Sequence, residues 1–147
     1  LTIAIEEFCR KLVADAPDAI IYADADGLVR FWNHGAERIF GFSQLDALGR
    51  SLDIIIPEQL RKRHWDGYAR TMRTGITRYG ANDVLAVPAV RKDGLRISVE
   101  FTILPFTDQG GQVIGIAAVL RDVSARFKEI KGLRAKLAAA RVSKLSL

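Results

Sequence analysis

At 147 residues the chain is sized for one domain with helical extensions, and 49% hydrophobic against 27% charged residues is the balance of a folded globular protein. Its single cysteine, Cys9, excludes an internal disulfide and any cysteine-based metal cluster. The net charge of +5 is not evenly spread: from Arg126 onward seven basic residues face one acidic, so the preceding 125 residues sum to −1. The excess therefore belongs to a tail helix and reads as a solvated face or coiled-coil flank, with no nucleic-acid partner expected.

Ile5, Phe8 and Leu12 fall at helical spacing among Glu6, Glu7, Arg10 and Lys11. That pattern predicts an amphipathic helix from Ile3 to Val13, within an N-terminal segment of residues 1–15. Ala14 to Asp18, with Pro17, breaks it. Ala19–Ala23 reads as a short buried strand, Asp24–Gly27 as a turn and Leu28–Trp32 as the return strand, a pair expected at the centre of the sheet. Asn33 suits an N-cap for a helix carrying Ala36, Ile39 and Phe40 and closed by Gly41, while His34 at its start is expected to be exposed and without a role. Ser43 caps a further turn through Leu48.

From Pro57 the pattern turns helical, with Glu58 in the first turn and a stop at Thr74-Gly75. Leu60, His64, Tyr68 and Met72 fall near one face of that helix. Residues 78–82 read as a loop, and Val84–Val90 as a strand whose Pro88 predicts an edge position or a bulge. Arg91-Lys92-Asp93-Gly94 is a hairpin signal; beyond it Ile97, Val99, Phe101 and Ile103 alternate with Ser98, Glu100 and Thr102. A glycine-rich turn over Thr107–Gln112 leads to a strand over Val113–Leu120, and Asp122-Val123-Ser124 opens the last helix. Heptads place Val123, Ile130, Leu137 and Lys144 at one seam position and Arg126, Leu133, Ala140 and Leu147 at the other. Gly132 weakens this short coiled-coil fragment.

No catalytic constellation is present: the two histidines lie in separate helices without a nucleophile partner, and Gly110-Gly111 sits in a hairpin turn and not before a helix. Asp24 and Asp26 are turn formers. No enzyme activity is expected. No apolar run approaches the ~20 residues that cross a bilayer, and the N-terminus lacks a signal-peptide layout. A cytoplasmic location is therefore expected, with no membrane contact by this segment. Beginning at Leu1, the chain reads as a piece of a longer protein.

As a set, these motifs resemble the PAS domain, the small sensory module of bacterial signalling proteins. The resemblance rests on Asp24-Ala25-Asp26-Gly27, Val29-Arg30-Phe31-Trp32-Asn33, Ala36 to Phe42, Gly49-Arg50, Ile55-Ile56-Pro57, Arg91–Gly94 and Asp122-Val123-Ser124, across roughly Ala16 to Ser124. It implies an α+β fold: a five-stranded antiparallel sheet with helices on one face, a core over residues 16–122, and flanking helices over 1–15 and 123–147. The implied function is to bind a small ligand, or relay a neighbour's state, through the outgoing helix to an effector domain of the same parent chain. A homodimer formed through the N- and C-terminal helices is implied as well.

In that family the long helix after Ile-Pro walls the ligand pocket, which here implies His64, Tyr68, Met72, Leu85, Val87, Phe101, Ile103, Ile116 and Ala118. Asp122, Val123, Ser124 and Arg126 would carry the signal outward, with Asp122 pairing with Arg126 four residues on. Haem-binding members place their iron ligand on this helix in an arginine-rich turn ending in histidine. Arg61-Lys62-Arg63-His64 is similar, which makes haem b at His64 one alternative, although Tyr68 follows His64 by four residues where those members have three. A ligand-free interaction and dimerisation domain is the other. Flavin-binding members carry a reactive cysteine two residues after the arginine of Gly-Arg and a glutamine near the end of the last strand. Here those positions hold Leu52 and Leu120, which argues against a flavin adduct.

Overall fold

The computed structural model describes residues 2–77 and 86–146. Helix α1 (Ile5–Asp15) precedes strands β1 (Ala19–Asp24) and β2 (Val29–Trp32). Helices α2 (His34–Phe40), α3 (Gln44–Ala47) and α4 (Arg61–Thr74) follow, with two short 3-10 turns over Leu52–Ile55 and Glu58–Leu60 before α4. Strands β3 (Ala86–Val90), β4 (Arg96–Thr107) and β5 (Val113–Asp122) lead to helix α5 (Ser124–Leu145).

The five strands form one antiparallel sheet in the order β2-β1-β5-β4-β3. The β1–β2 hairpin therefore ends at an edge, not at the centre, and β5 occupies the middle. The cause is non-local: β1 pairs β5 from Ala19↔Leu120 to Asp24↔Gly115, while the far side of β2 pairs with no strand among the described residues and meets the 49–52 segment through the Leu28↔Ser51 bridge and bonds of Val29 to Gly49 and Arg50. Pro88 does stand on an edge strand, opposite Ser98, where its missing donor breaks no ladder on the free side.

Period-two alternation sends Ala19, Ile21 and Ala23 of β1, Ile97 and Val99 of β4, and Ile116 and Leu120 of β5 to one buried face. Trp32, Ala36, Phe40, Phe42 and Ile55 close over it, with the Trp32 indole donating to the Phe42 carbonyl at 3.0 Å. Asn33 is the joint of the N-terminal half. Its Oδ1 accepts from Ala36 N (2.9 Å) as the α2 cap and from Ile20 N (2.8 Å), while its Nδ2 donates to the carbonyls of Val13 and Asp18 (3.0 Å each). His34, on the surface, contacts Asp15 at 2.9 Å.

Helix α1 covers neither its own sheet nor its own core: Ile5, Phe8 and Leu12 are 55, 38 and 57% exposed. Helix α5 likewise buries no residue along its length. The two helices meet the sheet at the same end, because β1 begins beside the end of β5. There the Arg121 guanidinium grips the Asp18 carboxylate with two bonds of 2.9–3.0 Å.

Candidate functional site

Helix α4 crosses the buried face of the sheet and brings an aromatic row against it. Trp65, Tyr68 and Met72 follow one another at spacings of three and four, one helix face. Tyr68 and Met72 pack with Ala23, Ile116 and Ile103, while Leu52 and Trp65 join the same cluster. Val87, Phe101 and Ala118 lie farther along, half-buried against the main core. Of the sequence-predicted pocket residues, Tyr68, Met72, Ile103 and Ile116 thus gather under α4, while Val87, Phe101 and Ala118 pack against the main core. Leu85, also expected in the pocket, lies outside the described residues.

The Tyr68 hydroxyl donates to the carbonyls of Ala23 (3.2 Å) and Asp24 (2.5 Å), tying α4 to the β1–β2 turn. Burial pushes its phenol well above the usual range, so it is a permanent donor there. The His64 ring stands edge-on to Trp65 at 4.7 Å and tilted against Tyr68 at 5.9 Å. Its Nδ1 is buried and has no hydrogen-bond partner among the described residues. Burial lowers the His64 pKa, and the nearby Asp53 carboxylate only partly opposes this, so the neutral imidazole is favoured.

Trp65 and Asp53 were not legible as site residues, yet they frame His64. The Trp65 indole donates to Asp53 Oδ1 at 2.8 Å, and its ring lies over Gly27, where a Cβ would stand 2.2 Å from it. The three–four spacing of Trp65, Tyr68 and Met72 was the available signal. Beside this row an open groove of about 520 Å³ runs between α4 and the two hairpin turns, with Trp65, Tyr68 and Met72 on one wall and Ala25, Gln112 and Val113 opposite.

The expected relay residues also come together, on different partners. Asp122 does not pair with Arg126. Its Oδ1 accepts from the Ser124 N–H (2.9 Å) and hydroxyl (2.6 Å), so Asp122 and not Ser124 takes the helix-starting donor. Ser98 of β4 donates its N–H to Ser124 Oγ (2.9 Å) and accepts from Val123 N (2.9 Å), while Arg126 bridges to Glu100 of β4. A carboxylate two residues back suits this geometry, because it reaches the first free N–H of the helix, whereas Arg126 extends over the neighbouring strand. Val123 is buried, so the root of α5 is seated in the sheet.

A sheet in this order, with an aromatic-lined helix across one face and a helix leaving the central strand, defines an α+β domain. The comparison with known families agrees: the PAS fold family matches residues 7–123, and the chain belongs to it. It is 33% identical over 98 residues to the Sensor protein FixL of Bradyrhizobium diazoefficiens, covering 67% of this chain and 19% of that one. It is 27% identical over 101 residues to the Oxygen sensor protein DosP of Escherichia coli, covering 69% and 12% respectively. The chain thus spans a fifth or less of the length of these curated relatives. The PAS domain of a protein from Colwellia psychrerythraea shares its fold with a TM-score of 0.72 at 20% identity, over 83% of this chain and 99% of that one. Among the described residues no helix is long and apolar enough to cross a membrane.

Proposed function

We propose that the chain is a ligand-sensing PAS module that passes the state of the space beneath α4 to α5. One observation carries this reading: Ser98 holds the first turn of α5 from the very strand whose Val99, Phe101 and Ile103 face the helical layer. A shift of β4 caused by an occupant moves Ser98 and Glu100, and with them Ser124 and Arg126. Asp122, Val123, Ser124 and Arg126 are the relay, and the effector is a further domain of the parent chain. The module itself performs no chemistry on this reading. In the intact parent protein, Asp122→Ala loosens the root of α5 and separates ligand occupancy from output. Output that still follows the ligand in that variant refutes the relay.

A second reading, haem at His64, is favoured by the buried Nδ1 without a partner and by the likeness to a protein named as an oxygen sensor. The residues fit the group: burial keeps the imidazole neutral, the form that ligates iron, and an apolar cluster adjoins it. His64 would hold the iron, and a bound haem would supply a site for a diatomic gas. Ultraviolet–visible spectra of the protein before and after haem addition, with His64→Ala alongside, decide it. A sharp Soret band that depends on His64 supports the reading; its absence after haem addition leaves the colourless-ligand sensor standing.

A further inference from the structure

A row of charges crosses the outer face of the sheet at the end where the chain enters and leaves. The register sets Ala19 opposite Leu120 and Glu100 opposite Arg121, and Ala19, Leu120 and Val99 are buried. Alternation therefore turns Asp18, Arg121 and Glu100 to the other face, side by side in the order acid, base, acid. A second base, Arg126, arrives at the same place from the first turn of α5. Two carboxylates and two guanidinia thus meet at the roots of α1 and α5.

Their pairing is selective. Arg121 spends Nε and Nη2 on the two oxygens of Asp18, at 3.0 and 2.9 Å, the forked contact that fixes a guanidinium most firmly. The bonds and charge of Asp18 raise the Arg121 pKa, and the Glu100 charge adds to this. Glu100 is the directly opposed cross-strand neighbour of Arg121, a position from which opposite charges pair. Yet the Glu100 carboxylate takes Arg126 instead. With Arg121 committed to Asp18, Glu100 is left for α5.

We propose that Asp18 governs the seating of α5 by occupying Arg121, an ion-pair hand-off between the segment that enters the domain and the helix that leaves it. When Asp18 is drawn away, the freed Arg121 guanidinium turns to Glu100 and displaces Arg126. The root of α5 then holds to β4 through Val123 and Ser124, and its first turn opens more often. Asp18 follows the end of α1 by three residues, so a load on α1 is the input. All four side chains touch solvent, which keeps each pair worth only a few-fold in an equilibrium and lets a small load tip the exchange. The route bypasses the space beneath α4 and needs no ligand, so its failure leaves the sensing reading untouched.

Amide hydrogen exchange at residues 127–130 of the full chain, read by NMR against the amides of β5, tests it. Asp18→Asn speeds exchange there about threefold, and so does Glu100→Gln. The deciding variant combines Asp18→Asn with Arg121→Gln: without the competing base, Glu100 stays with Arg126 and exchange returns to the wild-type rate. A wild-type rate in Asp18→Asn alone shows that Arg121 does not turn to Glu100 and overturns the proposal. A wild-type rate in Glu100→Gln makes the Arg126 bridge idle and overturns it too. A double variant as fast as Asp18→Asn shows Asp18 to be a plain strut between the helix roots, which equally removes the hand-off.

Discussion

Replacing Asn33 by alanine removes one side chain that serves three elements at once. It is 2% exposed, and its amide satisfies two backbone N–H groups and the carbonyls of Val13 and Asp18. Loss of the α2 cap costs about 1 kcal/mol. The stranded, partly buried Ile20 N–H at the root of β1 adds about 1–2 kcal/mol. The two carbonyls are only partly buried and recover water, so the whole effect is about 2–3 kcal/mol, a large part of a typical domain's stability. In urea denaturation, with a slope of about 2 kcal/mol/M, the midpoint falls by about 1–1.5 M at unchanged slope. Asn33→Ser keeps the cap and loses the bonds to α1 and β1, so it lands between wild type and alanine. Hydrogen exchange then rises in the last turn of α1. A loss below about 1 kcal/mol for Asn33→Ala, or wild-type stability for Asn33→Ser, refutes the idea that Asn33 binds these elements together.

Gly27→Ala costs about 2–4 kcal/mol: its φ of +75° disfavours a side chain, and the new Cβ would stand 2.2 Å from the Trp65 ring. The double variant with Trp65→Ala costs less than the sum of the single changes by thermal melting; strict additivity removes the steric argument. Tyr68→Phe loses the donor shared by the Ala23 and Asp24 carbonyls and destabilises by about 1–2 kcal/mol in urea, and a neutral outcome would show the hydroxyl to be idle. His64 has a folded pKa below its ordinary 6.5, so its neutral form contributes stability that is complete above that value. As pH falls below 6.5 the unfolded chain takes up the proton first and stability drops; His64→Gln flattens the curve from pH 7 to 5. An identical slope in wild type and variant contradicts a buried neutral ring.

What could be read from the chain was local. Asn33 and Ser43 announce helix caps, Pro88 announces an edge, and the alternation from Ile97 to Ile103 announces which face is buried, because each depends on neighbours a few residues away. The sheet order could not be read so directly. That β1 abuts β5 depends on Ala19 meeting Leu120, a pairing that no short motif encodes. The α4 side of the site was legible through Tyr68 and Met72, yet Trp65 escaped because polar residues flank it and its partners, Asp53 and Gly27, lie on distant turns. Asp122, expected to pair with Arg126, stands at the root of α5 with a different partner. A four-residue spacing suggests an ion pair within a helix, whereas Glu100 on the adjoining strand offers Arg126 the nearer carboxylate.

The Asp18–Arg121 grip joins residues 103 positions apart. The chain therefore enters and leaves the domain through one doorway. A module built this way opens on one side like a chapel on a corridor: the roots of the helices before and after it are held together. On the proposed sensing role, a change in the packing beneath α4 would act as a wedge beside that doorway. Such a unit can be duplicated, moved or lost between signalling proteins with little disturbance to the flanking helices.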